Sequence, residues 1–466
     1  MDKTFLTLIA AAAAALLPAL GACGSAATGD TPAQLGSAVP LAAATGQEDA
    51  VAAVAAAARP LAGAPADHDE ILGALGGATR VMLGESTHGT QDYYRERARL
   101  TQRLVREQGF NAIAIEGDWT PTYRLNLYVR GAGPYRSAEE ALGGYENFPK
   151  WMWANAEFRD LVDRLRAWNL GRPAEQRVGL YGMDVYDLFD AADAVQAYLK
   201  AEHPEMARLA ARNYRCFHPY KRSTEAYALA TREPRSSCRK QAEAVLAAMR
   251  TLPRPAEAAA AETHFAALRS AASVAAAEDY YRTAAVGSLA WNVRDRHMAD
   301  NVDEIAGHVA AVSGRPGKVV MWSHNTHTGD ARATGAANRG ELNLGQLMRE
   351  RHDRNAFLVG FMSYAGTVMA APEWGVSGRV YELRPALSHS HAGLFHRTGL
   401  PAFSLLLRGR KEIAQALSQP MLQRAVGVVY QPHTERQSHY FPAHLPEQFD
   451  AVMFFDRSRA VTALRR

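Results

Sequence analysis

The sequence predicts an α/β protein with a three-layer core, a mostly parallel sheet (a mixed sheet is the alternative) and a helical insertion. Short β-branched runs bounded by glycine or polar residues are typical of strands buried on both faces. Long helical patterns separate the first four runs, as expected where strand and helix alternate. The runs are Arg80–Leu83, Ala112–Ile115, Val178–Tyr181, Lys318–Trp322, Phe357–Phe361, Ser404–Leu407, Val426–Tyr430 and Val452–Phe455.

A different pattern fills the stretch from about Asp187 to His308. It has alanine-rich helical periodicity and no convincing strand. We expect this stretch, residues 187–308, to be a helical insertion that packs against the α/β core as a lid or a pocket wall.

The N-terminus has the features of an export signal. Lys3 precedes an apolar run from Phe5 to Leu17, which is too short to span a bilayer and matches a signal-peptide core. Residues 20–22, Leu-Gly-Ala, then lead into Cys23 and resemble a bacterial lipobox. We predict that residues 1–22 are removed and that Cys23 is lipidated. The protein would then be an exported, membrane-anchored lipoprotein on the periplasmic or cell-surface side; the alternative is an ordinary signal peptide.

Beyond the signal, residues 23–50 are mostly Ala, Gly, Thr and Ser and predict a flexible tether. Residues 51–466 are expected to form one domain, and no later segment is apolar enough to predict a transmembrane helix. Hydrophobic residues make up 48% of the chain and charged residues 21%, as in a globular protein. The net charge of +4 is small and shows no polybasic stripe, so nucleic acid is not an expected partner.

The chain has three cysteines. If Cys23 carries a lipid, Cys216 and Cys238 remain, 22 residues apart in the helical insertion of an exported protein. Oxidation is favoured in that compartment, so we predict a disulfide between them, with two free thiols as the alternative.

The first cluster able to carry chemistry is Gly84–Thr90. It follows a predicted strand and precedes a helix, and ligands of α/β sheets bind beyond the carboxyl ends of strands. His88 in this loop can act as a general base near neutral pH, and Glu85 can orient it. The alternative is a loop with a helix-capping threonine and a surface histidine.

An arginine and a second carboxylate belong to the same region. Helical phase places Arg97 on the inward stripe of the next helix, where a buried cation needs an anionic partner. The following strand ends in Glu116, which we expect to pair with Arg97. The pair can be structural, and the Glu116 carboxylate can also position a water or tune His88; the two roles are compatible.

A third polar cluster follows the run Lys318–Trp322. It contains His324 and His327, which share a face if the segment turns helical. Three histidines and two glutamates could also form a metal site. The G-x-S-x-G elbow, the H-E-x-x-H motif, the P-loop and the dinucleotide fingerprint are all missing from the sequence.

Together these motifs resemble the erythromycin esterase family in order and spacing, from about residue 70 to the end. The residues that carry the resemblance are Gly84–Gly89, Arg97, Gly109–Phe110, Glu116, Asp118–Trp119, Phe148–Trp151, Tyr181–Asp184, Arg294–Ala299, Trp322–His327, Leu344–Gly345, His439–Phe441 and Phe449–Asp450.

The resemblance implies a macrolactone-opening esterase, in which histidine activates water and no serine nucleophile is used. It implies His88 as the general base, Glu85 and Glu116 as its supports, and Arg97 as the anchor of the carboxylates. His324 and His327 complete the site, and we expect His324 or Arg97 to stabilise the oxyanion.

Four aromatic residues near these motifs in sequence are candidate pocket walls, with core packing as the alternative: Trp119, Tyr123, Trp151 and Trp153. We predict a small-molecule ester or lactone substrate, no cofactor and no metal. The rival hypotheses are a metal-dependent hydrolase built on the same residues and a lipid-tethered module that binds a ligand without turnover.

Overall fold

A computed structural model describes residues 41–145 and 149–464. Cys23 and the predicted signal peptide lie outside these residues. Part of the predicted tether does not form one, because a helix begins at Leu41 and continues to Ala57. Alanine, which is abundant here, is the best helix former, and Ala50 and Val54 are buried in one of the two large apolar cores of the described residues. The prediction of a flexible tether is therefore wrong for residues 41–50.

The strands are numbered in chain order. They are β1 (Arg59–Pro60), β2 (Arg80–Leu83), β3 (Ala112–Asp118), β4 (Gly179–Asp184), β5 (Val319–Trp322), β6 (Ala356–Ala370), β7 (Arg379–Leu383), β8 (Ala402–Leu406), β9 (Met421–Arg424), β10 (Tyr440–Ala443) and β11 (Ala451–Ser458).

The α-helices are numbered likewise. They are α1 (Leu41–Ala57), α2 (Asp69–Ala74), α3 (Gln91–Gln108), α4 (Trp119–Val129), α5 (Ala138–Leu142), α6 (Lys150–Trp153), α7 (Ala156–Asn169), α8 (Leu188–Glu202), α9 (Pro204–Tyr214), α10 (Thr224–Ala230), α11 (Arg239–Thr251), α12 (Ala258–Thr283), α13 (Gly287–Ser313), α14 (Asn325–Thr328), α15 (Leu344–His352), α16 (His391–His396), α17 (Lys411–Ala416), α18 (Glu435–Ser438) and α19 (Leu445–Gln448).

Within the described residues nine strands form one sheet, in the order β1-β8-β11-β6-β2-β5-β3-β4, with β7 paired to β6. The stretch from β11 to β4 is parallel, and β1, β7 and β8 run antiparallel to their neighbours. Alternate residues of β2 belong to different apolar cores: Val81 and Leu83 to one, Met82 to the other. The sheet is thus covered on both faces, and the predicted three-layer α/β core with a mostly parallel, mixed sheet is confirmed.

One predicted strand is absent from the described structure. Residues 426–430 make only isolated bridges, Val426 with Thr87 and Val429 with Ala371. The segment crosses the loop after β2, where Val426 N–H donates to Ser86 O at 2.8 Å and His88 N–H donates to Val426 O at 3.2 Å. Val426 and Tyr430 are buried in a small apolar cluster with residues of β6 and β7, and Val428 is buried as well. Burial without regular strand pairing therefore accounts for the strand-like pattern.

Between β4 and β5 the described chain is helical, from α8 to α13. A disulfide joins Cys216 to Cys238 in this region, with the two Cα atoms 5.8 Å apart. None of the helices in the described residues is long and apolar enough to cross a membrane.

Candidate active site

The candidate site lies where four neighbouring parallel strands end. In sheet order these are β2, β5, β3 and β4. Their ends supply Glu85 and His88, His324 and His327, Glu116, and Asp184, respectively. Because parallel strands present their carboxyl ends at one edge, side chains far apart in sequence meet there.

His88 is held by a carboxylate on one side and faces a cavity on the other. Its Nδ1 lies 2.9 Å from Glu85 Oε1, and the side chain lines the cavity at the strand ends. An ionised carboxylate can only accept a hydrogen bond, so Nδ1–H donates to Glu85 and the lone pair of the neutral ring is on Nε2. The loop is fixed closely against the sheet, since a Cβ on Gly89 would lie 2.0 Å from the backbone oxygen of Met369.

Arg97 pairs with Glu85 and not with Glu116, so the predicted Arg97–Glu116 pair is wrong. Arg97 Nη2 donates to Glu85 Oε2 at 2.7 Å, and its guanidinium lies 4.7 Å from the ring centroid of Tyr94 and 4.4 Å from that of Trp322. It is fully buried and does not line the cavity. Arg97 therefore anchors Glu85 but cannot donate to an oxyanion in the cavity.

Glu116 joins the end of β3 to two other elements. Its Oε2 accepts from the backbone N–H of His324 at 2.6 Å, and its Oε1 accepts from Arg294 Nη2 at 2.7 Å. Burial alone would raise the pKa of Glu116, but His327, Arg294, His88 and the His324 N–H together lower it well below its ordinary value. Glu116 is thus an anion that positions the histidine loop after β5.

Arg294 is a central residue of the site that the sequence reasoning did not assign. This buried side chain of α13 donates to Asp184 at 2.8 and 2.6 Å and to Glu116, and its Nη1 lies 3.0 Å from His327 Nε2. Burial opposes its charge, but Asp184, Tyr186 and Glu116 raise its pKa well above the ordinary value. The signal that could have found it is an arginine at helical spacing from the apolar residues Trp291 and Met298, which places it on the buried face of the helix.

His327 has both ring nitrogens occupied. Arginine can only donate, so His327 Nε2 accepts from Arg294 and its Nδ1–H donates to Asp295, at 2.9 and 3.0 Å from the two carboxylate oxygens. The ring also stacks on Trp291, with centroids 4.3 Å apart. His327 is a structural member of the site and has no nitrogen left for a substrate.

His324 has one nitrogen available. Thr326 N–H donates to its Nδ1 at 3.3 Å, while Nε2 is buried and has no partner among the described residues. Burial lowers the pKa of His324 well below the ordinary value despite the opposing charge of Glu116. The ring is therefore neutral with its proton on Nε2. It lies 4.9 Å from the His88 ring, centroid to centroid, and is a donor for a developing oxyanion.

The cavity beside these histidines has about 130 Å³ that the centre of a water molecule can reach. Its aromatic walls are Tyr186, Trp291, Trp374 and Phe441.

The four aromatic residues predicted as walls do not line this cavity. Trp119 stacks between Tyr123 and Tyr181, with centroids 6.4 and 5.9 Å away, and Trp151 and Trp153 belong to the other apolar core. Trp119, Trp151 and Trp153 are buried in the apolar cores, and Tyr123 packs against one of them. Nearness in sequence to the motifs is not nearness to the cavity.

The hydrogen bonds that Arg294 donates also affect whether the site can bind a metal ion. Among residues 41–145 and 149–464 no group of three or more His, Cys, Asp or Glu side chains is arranged to hold a metal ion. Arg294 takes the Nε2 lone pair of His327 and one oxygen of Glu116, the atoms that a metal at this point would need.

Fold and site together define an α/β protein with a histidine–carboxylate centre suited to acid–base chemistry. The erythromycin esterase sequence family matches residues 105–458, so the chain belongs to the erythromycin esterase family of hydrolases, as its motifs predicted. The match begins after the His88 loop and Arg97. Glu116, Arg294, His324 and His327 lie within it.

Solved structures share the fold at low identity. A succinoglycan biosynthesis protein (20% identical, TM-score 0.73) and a Bacillus cereus protein (18%, 0.73) each cover 90% of this chain and 99% of their own. A histidine-to-asparagine mutant of an erythromycin esterase in its open conformation is 16% identical, with a TM-score of 0.60 over 85% of this chain and 95% of its own.

Proposed function

We propose that the protein hydrolyses a carboxylic ester or lactone with water that His88 activates. The observation that carries this proposal is the Glu85–His88 contact of 2.9 Å, which favours the Nδ1–H tautomer and leaves Nε2 as the basic atom of a residue that lines the cavity. A base oriented by a carboxylate suits direct attack by water, because the nearby serine hydroxyls are engaged elsewhere in the described structure: Ser86 Oγ bonds to the Tyr93 hydroxyl and Ser438 Oγ donates to Thr434 O.

In the proposed reaction, Nε2 of His88 takes a proton from water as the water oxygen bonds to the ester carbonyl carbon. Glu85 stabilises the resulting imidazolium, and Arg97 holds Glu85 in place. The carbonyl oxygen becomes an oxyanion that accepts from His324 Nε2–H. When the carbon–oxygen bond to the leaving group breaks, His88 returns the proton to the alkoxide. The products are a carboxylic acid and an alcohol, joined in one chain if the substrate is a lactone.

Glu116 and Arg294 have a positioning role in this proposal. Glu116 accepts from the His324 backbone and thereby sets where Nε2–H lies. Arg294 links Glu116 to Asp184 and His327 and so ties β3, β4 and α14 together. Neither side chain has to exchange a proton for the reaction to proceed.

The substrate we propose is a small ester or lactone, with macrolactones as the first class to test. An activity screen should use macrolides, simple lactones and aryl esters, with metal analysis of the same preparation. We expect turnover that survives chelation. Loss of activity on chelation, restored by a divalent ion, would instead support a metal-dependent hydrolase. Binding without turnover across the panel would support a ligand-binding module.

We also propose that the enzyme acts outside the cytoplasm, tethered through a lipid on Cys23. The support for this is the signal sequence alone. Intact mass spectrometry of the mature protein tests it: a lipidated chain beginning at Cys23 is expected, and an unmodified chain beginning elsewhere would exclude the anchor.

A further inference from the structure

A second, larger groove lies on the helical region, away from the catalytic cavity. It has about 1320 Å³ that the centre of a water molecule can reach, and it is formed mainly by α11, α12 and α13. Its lining shares no residue with that of the catalytic cavity. Helix α13 contributes to both, with Arg294 in the catalytic cavity and Arg296 and His297 in the groove.

Arg269 is the unusual residue of this groove. It is only 5% exposed, yet among the described residues it forms no ion pair. Its Nε and Nη2 donate to the neutral Oδ1 of Asn301 at 2.9 and 2.6 Å, and Nη1 has no partner in the described part of the chain. A buried cation without an anion is costly. Burial lowers the pKa of Arg269 to about 10; the nearby charges of Glu304 and Asp300 oppose this shift without forming an ion pair with Arg269, and Arg250 acts in the same direction as burial.

The other charges of the groove leave a surplus of cations. Arg250, Arg254 and Arg296 line it and have no carboxylate partner among the described residues.

The acidic lining residues are mostly engaged by other arginines. Glu243 pairs with Arg239 at 2.8 Å, and Asp300 and Asp303 pair with Arg351 at 2.8 and 2.9 Å. Asp279 pairs with Arg282, which leaves Glu304 as the unpaired acid of the lining in the described residues. The groove is therefore complementary to an anion.

Apolar side chains lie beside these arginines. Leu246, Leu268 and Val293 are partly buried and line the same groove, and Phe265 and Ala272 are buried within it. A ligand that used both features would have a charged head and an apolar chain.

We propose that this groove binds an amphiphilic carboxylate, with its head on Arg269 and Arg250 and its chain along Leu246, Leu268 and Val293. Arginine binds carboxylate through two parallel N–H donors, and a partner for Arg269 would offset the cost of its burial. This site is independent of the hydrolytic reaction, because no residue proposed to act in catalysis lines it.

Isothermal titration calorimetry of the whole protein tests the proposal with octanoate as the probe. 1-Octanol, which lacks the carboxylate, tests whether the charged head is needed. Acetate, which lacks the long alkyl chain, tests whether the apolar chain is needed. We expect octanoate to bind at least about tenfold more tightly than either, with an affinity that falls as salt rises. Equal binding of octanol, or no octanoate binding at all, would overturn the proposal.

Variants of the groove arginines test where octanoate binds. Arg269→Gln should weaken octanoate binding about tenfold and Arg250→Gln about fivefold, while Arg235→Gln, exposed and outside the groove, should have no effect. Thermal melts check folding. Because Arg250 is exposed, its variant keeps the test valid if Arg269→Gln does not fold. Octanoate binding that persists unchanged in both variants would place the ligand elsewhere, for instance in the catalytic cavity, and contradict the proposal.

Discussion

Three of the histidines that line the cavity, His88, His327 and His324, differ in chemistry because their hydrogen-bond partners differ. Glu85 holds one nitrogen of His88 and leaves the other towards the cavity. His327 is held on both nitrogens, by Arg294 and Asp295. His324 is neutral and has an unpartnered Nε2 in the described structure. These arrangements assign base, scaffold and donor, respectively.

This assignment predicts an order of effects for two variants. His324→Asn removes the proposed oxyanion donor and should lower kcat by about 10²–10³ with little change in KM. Compared with His324→Asn, His327→Asn should lower the melting temperature more and kcat less, because its ring supports Arg294 and packs on Trp291. Steady-state kinetics and thermal melts of both variants check this. The reverse order would show that His327 participates directly.

Glu116 gives a second prediction at this scale. Glu116→Gln leaves Arg294 with Asp184 as its remaining carboxylate, so we expect the free energy of unfolding to fall by about 1–3 kcal/mol. Turnover should fall too, because the His324 N–H loses a charged acceptor. Urea unfolding measures the first and kinetics the second, with exposed Glu447→Gln as the matched control. Unchanged stability would contradict the anchoring role.

The sequence located His88, Glu85, Glu116, His324 and His327 at strand ends, but it could not pair them. Helical phase showed that Arg97 faces inward, and two carboxylates were available at neighbouring strand ends. Arg294 lies 178 residues from Glu116, and no local pattern connects residues so far apart. The position of each residue at the end of its strand could be predicted from the local sequence. The contacts between these residues could not, because they depend on the order of the strands in the sheet.

At the scale of elements, burial decided which sequence signals were reliable. Strands β2 and β5 are buried along their whole length, and their bounds were predicted to within one residue. Residues 426–430 gave the same apolar signal, but they are buried as a segment over the His88 loop. The helix from Leu41 was missed because small residues also make good linkers, and only docking on the core separates the two.

The start of α8 supplies a prediction about pH. Burial raises the pKa of the Asp187 carboxyl from its ordinary value of 3.8 to about 6, against the opposing donation from Thr120 N–H at 2.7 Å. Between pH 3.8 and about 6, the Asp187 carboxyl is therefore protonated in the folded state and ionised in the unfolded chain. The stabilisation from Asp187 is fully present below pH 3.8 and disappears as pH rises through about 6.

Asp187→Asn removes this dependence. Relative to the wild type, the variant should gain up to about 3 kcal/mol of unfolding free energy between pH 4 and pH 8. Urea unfolding at the two pH values measures the difference, with exposed Asp193→Asn as the control. A gain in stability that is the same at both pH values would rule out titration of Asp187 in this window.

For the whole molecule, the topology gathers the site from distant segments. The cavity walls Tyr186, Trp291, Trp374 and Phe441 come from four separate parts of the chain. Family resemblance and strand alternation predicted the three-layer core, yet neither carried information on which aromatic residues would meet. That information resides in the packing of the helical region and of the C-terminal third against the strand ends.

The disulfide tests how far the helical region is separate from catalysis. No residue between Tyr186 and Trp291 lines the catalytic cavity. Replacing both Cys216 and Cys238 by alanine should lower the free energy of unfolding by about 3 kcal/mol, with kcat unchanged. Reduced wild-type protein is the control, because it loses the disulfide but keeps both cysteine side chains. A large fall in kcat in folded protein would show that the bridge shapes the cavity.

The most direct test of the central claim is the kcat of His88→Asn on the best substrate of the activity screen. His218→Asn, an exposed histidine on the helical region, is the matched control, and thermal melts confirm folding. If His88 Nε2 activates the water, His88→Asn should lower kcat by about 10²–10⁴, and His218→Asn should leave it unchanged. A folded His88→Asn enzyme that keeps the wild-type kcat would contradict the mechanism.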